Sequence, residues 1–235
     1  MVGPNVVFDV MPRVGAPVQI GLIETMRARE GRVPWLERHL ARLRASSEAL
    51  GAPEPPSALA DLVRFAVGHG DRVVRVQLTG GHAEIATREV NAGQSISVAV
   101  ADEIHQPYPY KTTQREQFAR AYARARRARA QDALLVTANG FVAEGTAWNL
   151  FWWENGGGAL CTPAADLGIL PGLGRQRVME MTAVNEARVP VAALAGRSLF
   201  ITNAVRGIVE VSALDGTRVP RDPKTAELAS AFWLF

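Results

Sequence analysis

The first part of the chain alternates short apolar runs with longer stretches of helical periodicity. The runs Val6–Val10 and Val18–Met26 are bounded by proline or glycine, and they predict two strands. From Pro34 onward, leucines recur at the spacing of one helix face, and Gly51 predicts the end of that helix. These leucines are Leu36, Leu40, Leu43 and Leu50. The pattern then predicts a helix over Pro56–Val67 and strands over Val73–Thr79, Ala83–Thr87 and Ile96–Ala101.

The rest of the chain combines a charged amphipathic stretch with many short apolar runs. The segment Arg115–Arg129 carries arginines between apolar residues at helical spacing, which predicts a helix with one buried and one solvated face. Asn139-Gly140 predicts a hairpin turn between the first two strands that follow. Further helices are predicted from Leu170 to Glu186 and from about Thr225. The remaining predicted strands are Ala133–Thr137, Ala147–Trp153, Ala159–Thr162, Ser198–Thr202 and Gly207–Val211.

Strands and helices are mixed without regular alternation, which favours an α+β class over a single doubly wound sheet. A chain of 235 residues is large for one core and comfortable for two of about 100–120 residues each. A proline- and tyrosine-rich segment separates two differently patterned halves. We therefore predict a smaller N-terminal α+β domain over residues 1–104, an interdomain hinge at 105–112, and a larger C-terminal domain over 113–235.

The composition, 48% hydrophobic and 21% charged, is typical of a soluble globular protein. The single cysteine, Cys161, indicates a reducing compartment, and the chain start lacks the pattern of a signal peptide. We therefore expect a cytoplasmic protein that neither spans a membrane nor binds one. The net charge of +3 comes without a recognition motif, so we expect no nucleic-acid partner. His69, His82 and His105 lack metal-ligand spacing, so we predict no metal site.

Lysine occurs only at Lys111 and Lys224, against 24 arginines. Arginine is always protonated, whereas a lysine with a depressed pKa can lose its proton and form an imine with a carbonyl. Lys111 lies in the predicted hinge, and clefts for ligands tend to form between domains. Lys224 has no motif around it, so we expect it to be exposed and dispensable. Lys111 is therefore the candidate nucleophile.

Four separated segments carry the remaining candidate chemistry. The first segment is Glu24-Thr25 with the helix that contains His39-Leu40 and Arg42-Leu43, and the second is Lys111-Thr112-Thr113. The third segment is Glu144-Gly145-Thr146 with Asn149-Leu150-Phe151. The fourth is Leu170-Pro171-Gly172-Leu173-Gly174, followed at a distance by Thr202-Asn203 and Arg206-Gly207-Ile208. Their order and spacing, over roughly residues 20 to 215, resemble the fold-type IV pyridoxal-phosphate enzymes, or class IV aminotransferases. That superfamily includes branched-chain and D-amino-acid transaminases and aminodeoxychorismate lyases. The motifs are closest to those of the lyase branch, particularly the lyase domain fused to some para-aminobenzoate synthases.

The resemblance implies a two-domain fold like that of D-amino-acid aminotransferase, a homodimer, and pyridoxal 5'-phosphate as cofactor. It assigns Lys111 to hold the cofactor aldehyde as an imine and to shuttle the substrate proton. Glu144 matches the family carboxylate that keeps the ring nitrogen of the cofactor protonated. The alternative for Glu144 is an exposed acid in the turn after Asn139-Gly140.

The same resemblance assigns the cofactor phosphate to several groups. Arg42 matches the family's phosphate arginine, although an arginine on an amphipathic helix can also lie simply at the surface. Leu173 and Gly174 would offer backbone N–H groups at a helix start. Thr202 and Asn203 match a second phosphate turn, with Asn203 expected to make the more direct contact. Gly174 replaces a threonine common in the transaminases, so a hydroxyl contact would be lost there.

Substrate contacts and reaction type stay open at the level of sequence. The substrate candidates are Thr25, Arg75 and Arg206, with Arg27 and Arg88 also conceivable. The motif sequences favour a lyase that converts 4-amino-4-deoxychorismate to 4-aminobenzoate and pyruvate, a step of folate biosynthesis. The alternative is an aminotransferase that acts on D-amino acids or branched-chain amino acids. A remote alternative is a non-catalytic binding protein that keeps the same fold.

Overall fold

The computed structural model describes residues 6–7, 20–90, 95–155 and 158–234. The strands are β1 (Val6–Val7), β2 (Leu22–Ala28), β3 (Arg72–Thr79), β4 (His82–Glu89), β5 (Ser95–Ile104), β6 (Asp132–Val136), β7 (Val142–Gly145), β8 (Asn149–Trp153), β9 (Leu160–Pro163), β10 (Val184–Ala187), β11 (Leu199–Asn203), β12 (Gly207–Leu214) and β13 (Thr217–Arg218). The α-helices are α1 (Leu36–Ala49), α2 (Leu59–Val67), α3 (Glu116–Arg127), α4 (Leu173–Met181) and α5 (Pro223–Ala231), and short 3-10 helices cover Ala165–Leu167 and Val191–Leu194. These residues form two compact units. The first contains β1 to β4, α1, α2 and Tyr110–Gln114, and the second contains the rest.

The first unit is a four-stranded antiparallel sheet, in the order β1-β4-β3-β2, with α1 and α2 on one face. Alternate residues of β2 and β3 face the helices, because side chains of a strand point to opposite faces in turn. Met26 and Val76 therefore pack against Leu40, Leu43 and Val63 in one apolar cluster. The predicted stop of the first helix is confirmed, since α1 ends at Ala49 and Gly51 adopts a left-handed φ of 61°.

The second unit is built on a nine-stranded sheet, part of which closes into a barrel. The closed part follows the order β8-β11-β12-β5-β6-β7, and β7 pairs back to β8. Pairing is parallel between β12 and β5 and between β5 and β6, and antiparallel around the rest of the closed part. Apolar residues fill its interior, including Val98, Leu134, Leu150 and Ile201. Outside the barrel, α3 packs Phe118 against β5 and β6.

The α+β architecture predicted from the sequence is confirmed, whereas several local predictions are wrong. The helix that starts near Leu170 ends at Met181 rather than Glu186, because β10 pairs with β9 in parallel. The turn at Asn139-Gly140 leads into β7, a strand that the sequence pattern did not predict. Residues 8–10 of the first predicted strand lie outside the described residues. Lys224 is half-buried with its ammonium 4.9 Å from the Trp153 ring centroid, so its expected exposure is wrong.

The predicted domain boundary and the two compact units divide the chain differently. The prediction assigned residues up to 104 to the smaller domain, whereas β5 belongs to the large sheet of the second unit. Tyr110–Gln114 groups with the first unit. In the described part of the chain, no helix is long and apolar enough to cross a membrane. The same residues contain no cluster of three or more histidine, cysteine or acidic side chains that could hold a metal ion.

Candidate active site

Lys111 lies in a short extended segment that is hydrogen-bonded to the edge of β2. The Ile23 amide donates to the Lys111 carbonyl at 2.8 Å, and the Thr113 amide donates to the Gly21 carbonyl at 2.8 Å. The Thr113 hydroxyl accepts from the Gly21 amide at 3.1 Å, and Thr112 is buried opposite β2. A Cβ on Gly21 would lie 2.7 Å from the Thr113 methyl, so a larger residue at position 21 would force the neighbouring threonine side chains to shift. The two threonines thus fix the backbone that carries Lys111.

Behind this segment, β2 and α1 bring together Glu24, His39 and Arg42. Glu24 is 1% exposed and occupies a helix-facing position of β2. Its carboxylate accepts hydrogen bonds from His39 Nδ1 at 2.6 Å and from Arg42 Nε and Nη2 at 2.8 and 2.7 Å. His39 and Arg42 are three residues apart and therefore lie on one face of α1. The predicted phosphate arginine is thus oriented by a buried bidentate ion pair.

The electrostatics of this cluster follow from its burial and its charges. Burial alone would raise the pKa of Glu24, but the charges of Arg42 and His39 and their hydrogen bonds lower it from 4.5 to about 2. Burial lowers the pKa of His39, and the positive charges of Arg42 and Lys111 lower it further, against the opposing effect of Glu24. His39 Nε2 is buried and has no hydrogen-bond partner among the described residues. Glu24 is therefore ionised and His39 neutral near pH 7.

In the second unit, Glu144 is a buried residue of β7. Its Oε1 atom lies 3.0 Å from His105 Nε2, and the Leu170 amide donates to Oε1 and Oε2 at 3.2 and 3.3 Å. The alternative of an exposed turn acid is therefore wrong. Leu170 itself begins the Leu-Pro-Gly motif, and its carbonyl accepts from Asn149 Nδ2 at 3.0 Å. Glu144 and Asn149 together hold the chain that leads into α4.

In the loop after Glu144, both the amide and the carbonyl of Thr146 are hydrogen-bonded to side chains. The Thr146 amide donates to Asp132 Oδ1 at 3.1 Å, and Arg115 Nη2 donates to the Thr146 carbonyl at 2.5 Å. The guanidinium of Arg115 also lies 4.8 Å from the Phe118 ring centroid. Burial raises the pKa of Asp132, while hydrogen bonds from Thr146, Ala133 and Trp148 oppose that shift. These contacts hold the chain that follows β7 in place.

The N-terminus of α4 and the end of β11 lie close together. Leu173 and Gly174 are the first residues of α4, where backbone N–H groups have no partner within the helix. The Thr202 hydroxyl is buried and has no hydrogen-bond partner among the residues that the structure describes. A Cβ on Gly174 would lie 2.8 Å from both the Asn203 backbone and the Thr202 hydroxyl. Glycine is therefore required here, and the site suits an anion.

Asn203 shapes the turn that follows β11. Its Oδ1 atom accepts from the amides of Val205 and Arg206, both at 2.9 Å, and its Nδ2 donates to the Ala147 carbonyl at 3.2 Å. The predicted direct phosphate role therefore suits Thr202 better than Asn203. Arg206 is half-buried, its guanidinium lies 5.2 Å from the Trp148 ring centroid, and burial lowers its pKa.

The other substrate candidates lie on the face of the first sheet that points away from α1 and α2. Thr25 and Arg75 are direct cross-strand partners on β2 and β3, and Arg75 is exposed. Arg27 and Arg88 both pair in register with Val73, so they share this face with Arg75. Arg27 forms an ion pair with Asp71. Three arginines and one threonine thus form a cationic surface on this unit.

Sequence reasoning named the residues with motif resemblance and missed the residues that support them. In the first unit, Thr25, Arg42, Arg75 and Lys111 all lie on or beside β2. The second unit carries the other predicted residues, namely Glu144, Leu173, Gly174, Thr202, Asn203 and Arg206. Glu24 lay in a candidate segment but was given no role, and His105 and Asp132 were not identified as site residues. A signal for Glu24 existed, since it is a charged residue at an apolar position of a strand pattern.

This chain belongs to the class IV aminotransferase family, whose sequence profile matches residues 21–214. It is therefore a pyridoxal-phosphate-dependent enzyme of the class IV aminotransferase type. A comparison with curated proteins finds no match to the sequence.

Solved structures show the same fold. A branched-chain aminotransferase from Escherichia coli superimposes with a TM-score of 0.83 at 20% identity, covering 91% of this chain and 84% of that one. A proposed 4-amino-4-deoxychorismate lyase from Legionella pneumophila gives 0.81 at 22% identity, with 94% and 96% covered. A fold IV transaminase from Curtobacterium pusillum gives 0.78 at 23% identity, with 95% and 90% covered. At these identities the likeness establishes the architecture.

Proposed function

We propose that this protein is a pyridoxal-phosphate-dependent lyase that converts 4-amino-4-deoxychorismate to 4-aminobenzoate and pyruvate. The observation that carries the cofactor assignment is the buried, unpartnered hydroxyl of Thr202 beside the N-terminus of α4. Glycine at position 174 leaves the backbone N–H groups of Leu173 and Gly174 uncovered by a side chain. These donors fit a phosphate, and nothing else in the described interior of the unit pairs with that hydroxyl.

The phosphate would be held by the Thr202 hydroxyl and the N–H groups of Leu173 and Gly174. The family resemblance assigns a phosphate role to Arg42 as well. Thr202 would provide the hydroxyl that the transaminase threonine provides from position 174. Asn203 would act by shaping the turn next to Thr202, through its bonds to two backbone amides. Burial of Thr202 and Leu173 keeps water away from these donors, which strengthens their interaction with an anion.

When bound, pyridoxal phosphate supplies an aldehyde that condenses with amines and a protonated ring that withdraws electrons. Lys111 would hold the aldehyde carbon through Nζ and later move a proton at the same atom. The Glu144 carboxylate would accept the hydrogen bond of the ring N–H. Because the Leu170 amide and His105 both contact this carboxylate, its orientation is set before any ligand binds. Preorganised charge of this kind lowers the cost of catalysis.

The proposed lyase reaction needs one base and one bond cleavage. Lys111 Nζ removes the proton from the substrate carbon that bears the amino group. The bond between the ring carbon and the ether oxygen breaks, its electron pair leaves with the oxygen of the enolpyruvyl group, and the ring becomes aromatic. The departing enol gains a proton and becomes pyruvate, so the atoms of the substrate equal those of the two products. Thr25, Arg75 and Arg206 are the candidates for binding its carboxylates.

The sequences of two motifs support the lyase over the aminotransferase. Lys111-Thr112-Thr113 and the segment from Thr202 to Ile208 match the lyase branch of the family. The second candidate is an aminotransferase that acts on D-amino acids or branched-chain amino acids. It uses the same lysine and glutamate, and similar solved structures include branched-chain aminotransferases. A non-catalytic protein with this fold is the remote alternative, and retention of Lys111, Glu144 and Arg42 argues against it.

The decisive experiment is an absorbance titration of the purified protein with pyridoxal phosphate, followed by a panel of D- and L-amino acids. A cofactor band that persists across the panel, together with 4-aminobenzoate formed from aminodeoxychorismate, is the expected result. Full conversion of the band by an amino acid would instead identify an aminotransferase and its substrate class. Absence of any band would overturn the cofactor proposal and favour the non-catalytic alternative.

Two further expectations accompany this proposal. We expect a homodimer, as in the family that the sequence resembles, and light scattering of the holoenzyme would give its mass. We also expect the enzyme to act in the cytoplasm, where its product would enter folate biosynthesis. A monomeric holoenzyme with full lyase activity would refute the first expectation. Fractionation of cells that express the protein would test the second.

A further inference from the structure

His105 is a buried histidine in the second unit that no step of the proposed reaction uses. It follows directly after β5, and its amide donates to the Val136 carbonyl at 2.8 Å. Its side chain is 0% exposed, and Nε2 lies 3.0 Å from Glu144 Oε1. Its other ring nitrogen, Nδ1, is buried and has no partner among the described residues. Among the residues that the structure describes, the imidazole therefore has a single polar contact, the Glu144 carboxylate.

The contacts determine where the proton of this imidazole lies. An ionised carboxylate only accepts hydrogen bonds, so the Nε2 atom must carry the N–H that Glu144 Oε1 accepts. The buried Nδ1 atom has no partner among the described residues. The contact thus places the proton of the His105–Glu144 hydrogen bond on Nε2.

This arrangement differs from that of a histidine that only fills space. A histidine kept for packing would satisfy both ring nitrogens or be replaced by an apolar ring, because an unpartnered buried polar atom is unfavourable. Here Oε1 accepts from both His105 and the Leu170 amide, and the same amide also lies 3.3 Å from Oε2. The two donors approach the carboxylate from different elements and therefore help to fix its rotation.

We propose that His105 is the positioning residue of Glu144, holding the carboxylate ionised and oriented to accept the hydrogen bond of the cofactor ring nitrogen. This inference rests on the proposed role of Glu144 toward pyridoxal phosphate. Hydrogen bonds to a carboxylate favour its charged form. In metal sites, loss of a residue that orients a ligand typically lowers the metal affinity 10-fold to 100-fold. By analogy, loss of the residue that orients Glu144 should lower the cofactor affinity.

The test compares pyridoxal phosphate with its analogue in which the ring nitrogen is replaced by C–H. The analogue keeps the aldehyde for Lys111 and the phosphate, and it lacks only the atom that Glu144 would contact. Apparent dissociation constants would be measured for the wild type, His105→Phe, which removes the donor, and His105→Gln, which keeps an N–H donor. Gln106→Ala, at the exposed neighbouring position, is the matched control.

We expect His105→Phe to weaken pyridoxal phosphate binding about tenfold, the equivalent of one hydrogen bond to a charged group, and to leave analogue binding within about twofold. His105→Gln should recover most of the loss. An equal loss for both ligands would mean that His105 acts only through packing, and no loss for either would also overturn the proposal. If the wild type fails to bind either ligand, the proposed function fails instead.

A second measurement protects the test against a variant that does not fold. Nitrogen-15 NMR of the unaltered protein, which has only four histidines, reports the proton position on each imidazole ring. We expect His105 to carry a proton on Nε2. A His105 with the proton on Nδ1 and none on Nε2 would refute the positioning role, whatever the fate of the variants.

Discussion

Replacing Glu24 with glutamine tests how strongly the buried cluster beside Lys111 depends on charge. The substitution keeps the shape of the side chain and removes the negative charge that Arg42 and His39 share. Because Glu24 is 1% exposed, water cannot replace the lost interaction. We therefore expect the protein to be less stable with Glu24→Gln, and the loss to depend on pH in a defined way.

The lowered pKa of Glu24 determines the size of the effect. A carboxyl whose pKa falls from 4.5 to about 2 on folding contributes about 3 kcal/mol of stability near pH 7, since each tenfold change in proton affinity is worth about 1.4 kcal/mol. A depressed carboxyl pKa gives stability that is present above pH 4.5 and lost as the pH falls through about 2. The difference between wild type and Glu24→Gln should therefore shrink to about 1.5 kcal/mol at pH 3.

His39 also makes the stability of the folded protein fall as the pH decreases, but it does so at higher pH than Glu24. Its pKa is lowered from 6.5, chiefly by burial, so the unfolded chain binds a proton before the folded one does. Stability from a neutral His39 is thus complete above pH 6.5 and declines as the medium becomes more acidic. His39→Asn should flatten the stability profile just below pH 6.5, whereas Glu24→Gln should flatten it below pH 4.5.

Urea unfolding of the apo-protein, followed by circular dichroism between pH 3 and 8, measures these profiles. Glu37→Gln is the matched control on α1, because its side chain is 72% exposed and its ion pair with Arg64 is at the surface. We expect that control to cost about 0.5 kcal/mol or less. A Glu24→Gln protein that loses less than about 1 kcal/mol at pH 7, or an unchanged profile below pH 4.5, would refute the reasoning.

Three further outcomes follow from the site. Lys111→Ala should abolish borohydride-fixed cofactor, measured by mass spectrometry, while Lys224→Ala retains it; equal labelling of both variants would contradict the assignment of Lys111. Thr202→Val should weaken binding of pyridoxal phosphate about tenfold but leave pyridoxal, which lacks the phosphate, unchanged; a loss for both ligands would exclude a phosphate contact. Gly174→Ala should destabilise the apo-protein by about 1–3 kcal/mol in urea unfolding, because its Cβ would lie 2.8 Å from the Asn203 backbone, and an unchanged midpoint would show that β11 yields easily.

Local features of the sequence predicted several elements well. The leucine spacing and Gly51 predicted α1 and its end, because helix periodicity and a left-handed stop are encoded within a few residues. The α+β class followed from the irregular order of elements. By contrast, the pattern extended α4 to about Glu186 and missed β10, in which Val184 pairs in parallel with Leu160, 24 residues earlier in the chain. Pairing of this kind leaves little trace in local periodicity.

The sequence by itself determined the family and the residues that carry its motifs, among them Lys111, Glu144 and Thr202. Only the tertiary structure decided which residues support them. Glu144 meets His105 from 39 positions earlier, and Glu24 meets His39 from 15 positions later. Those contacts depend on strand register and helix packing, which bring together residues that no short window of sequence contains. Motif residues can be recognised within a short stretch of sequence, whereas the residues that contact them are determined by the tertiary structure.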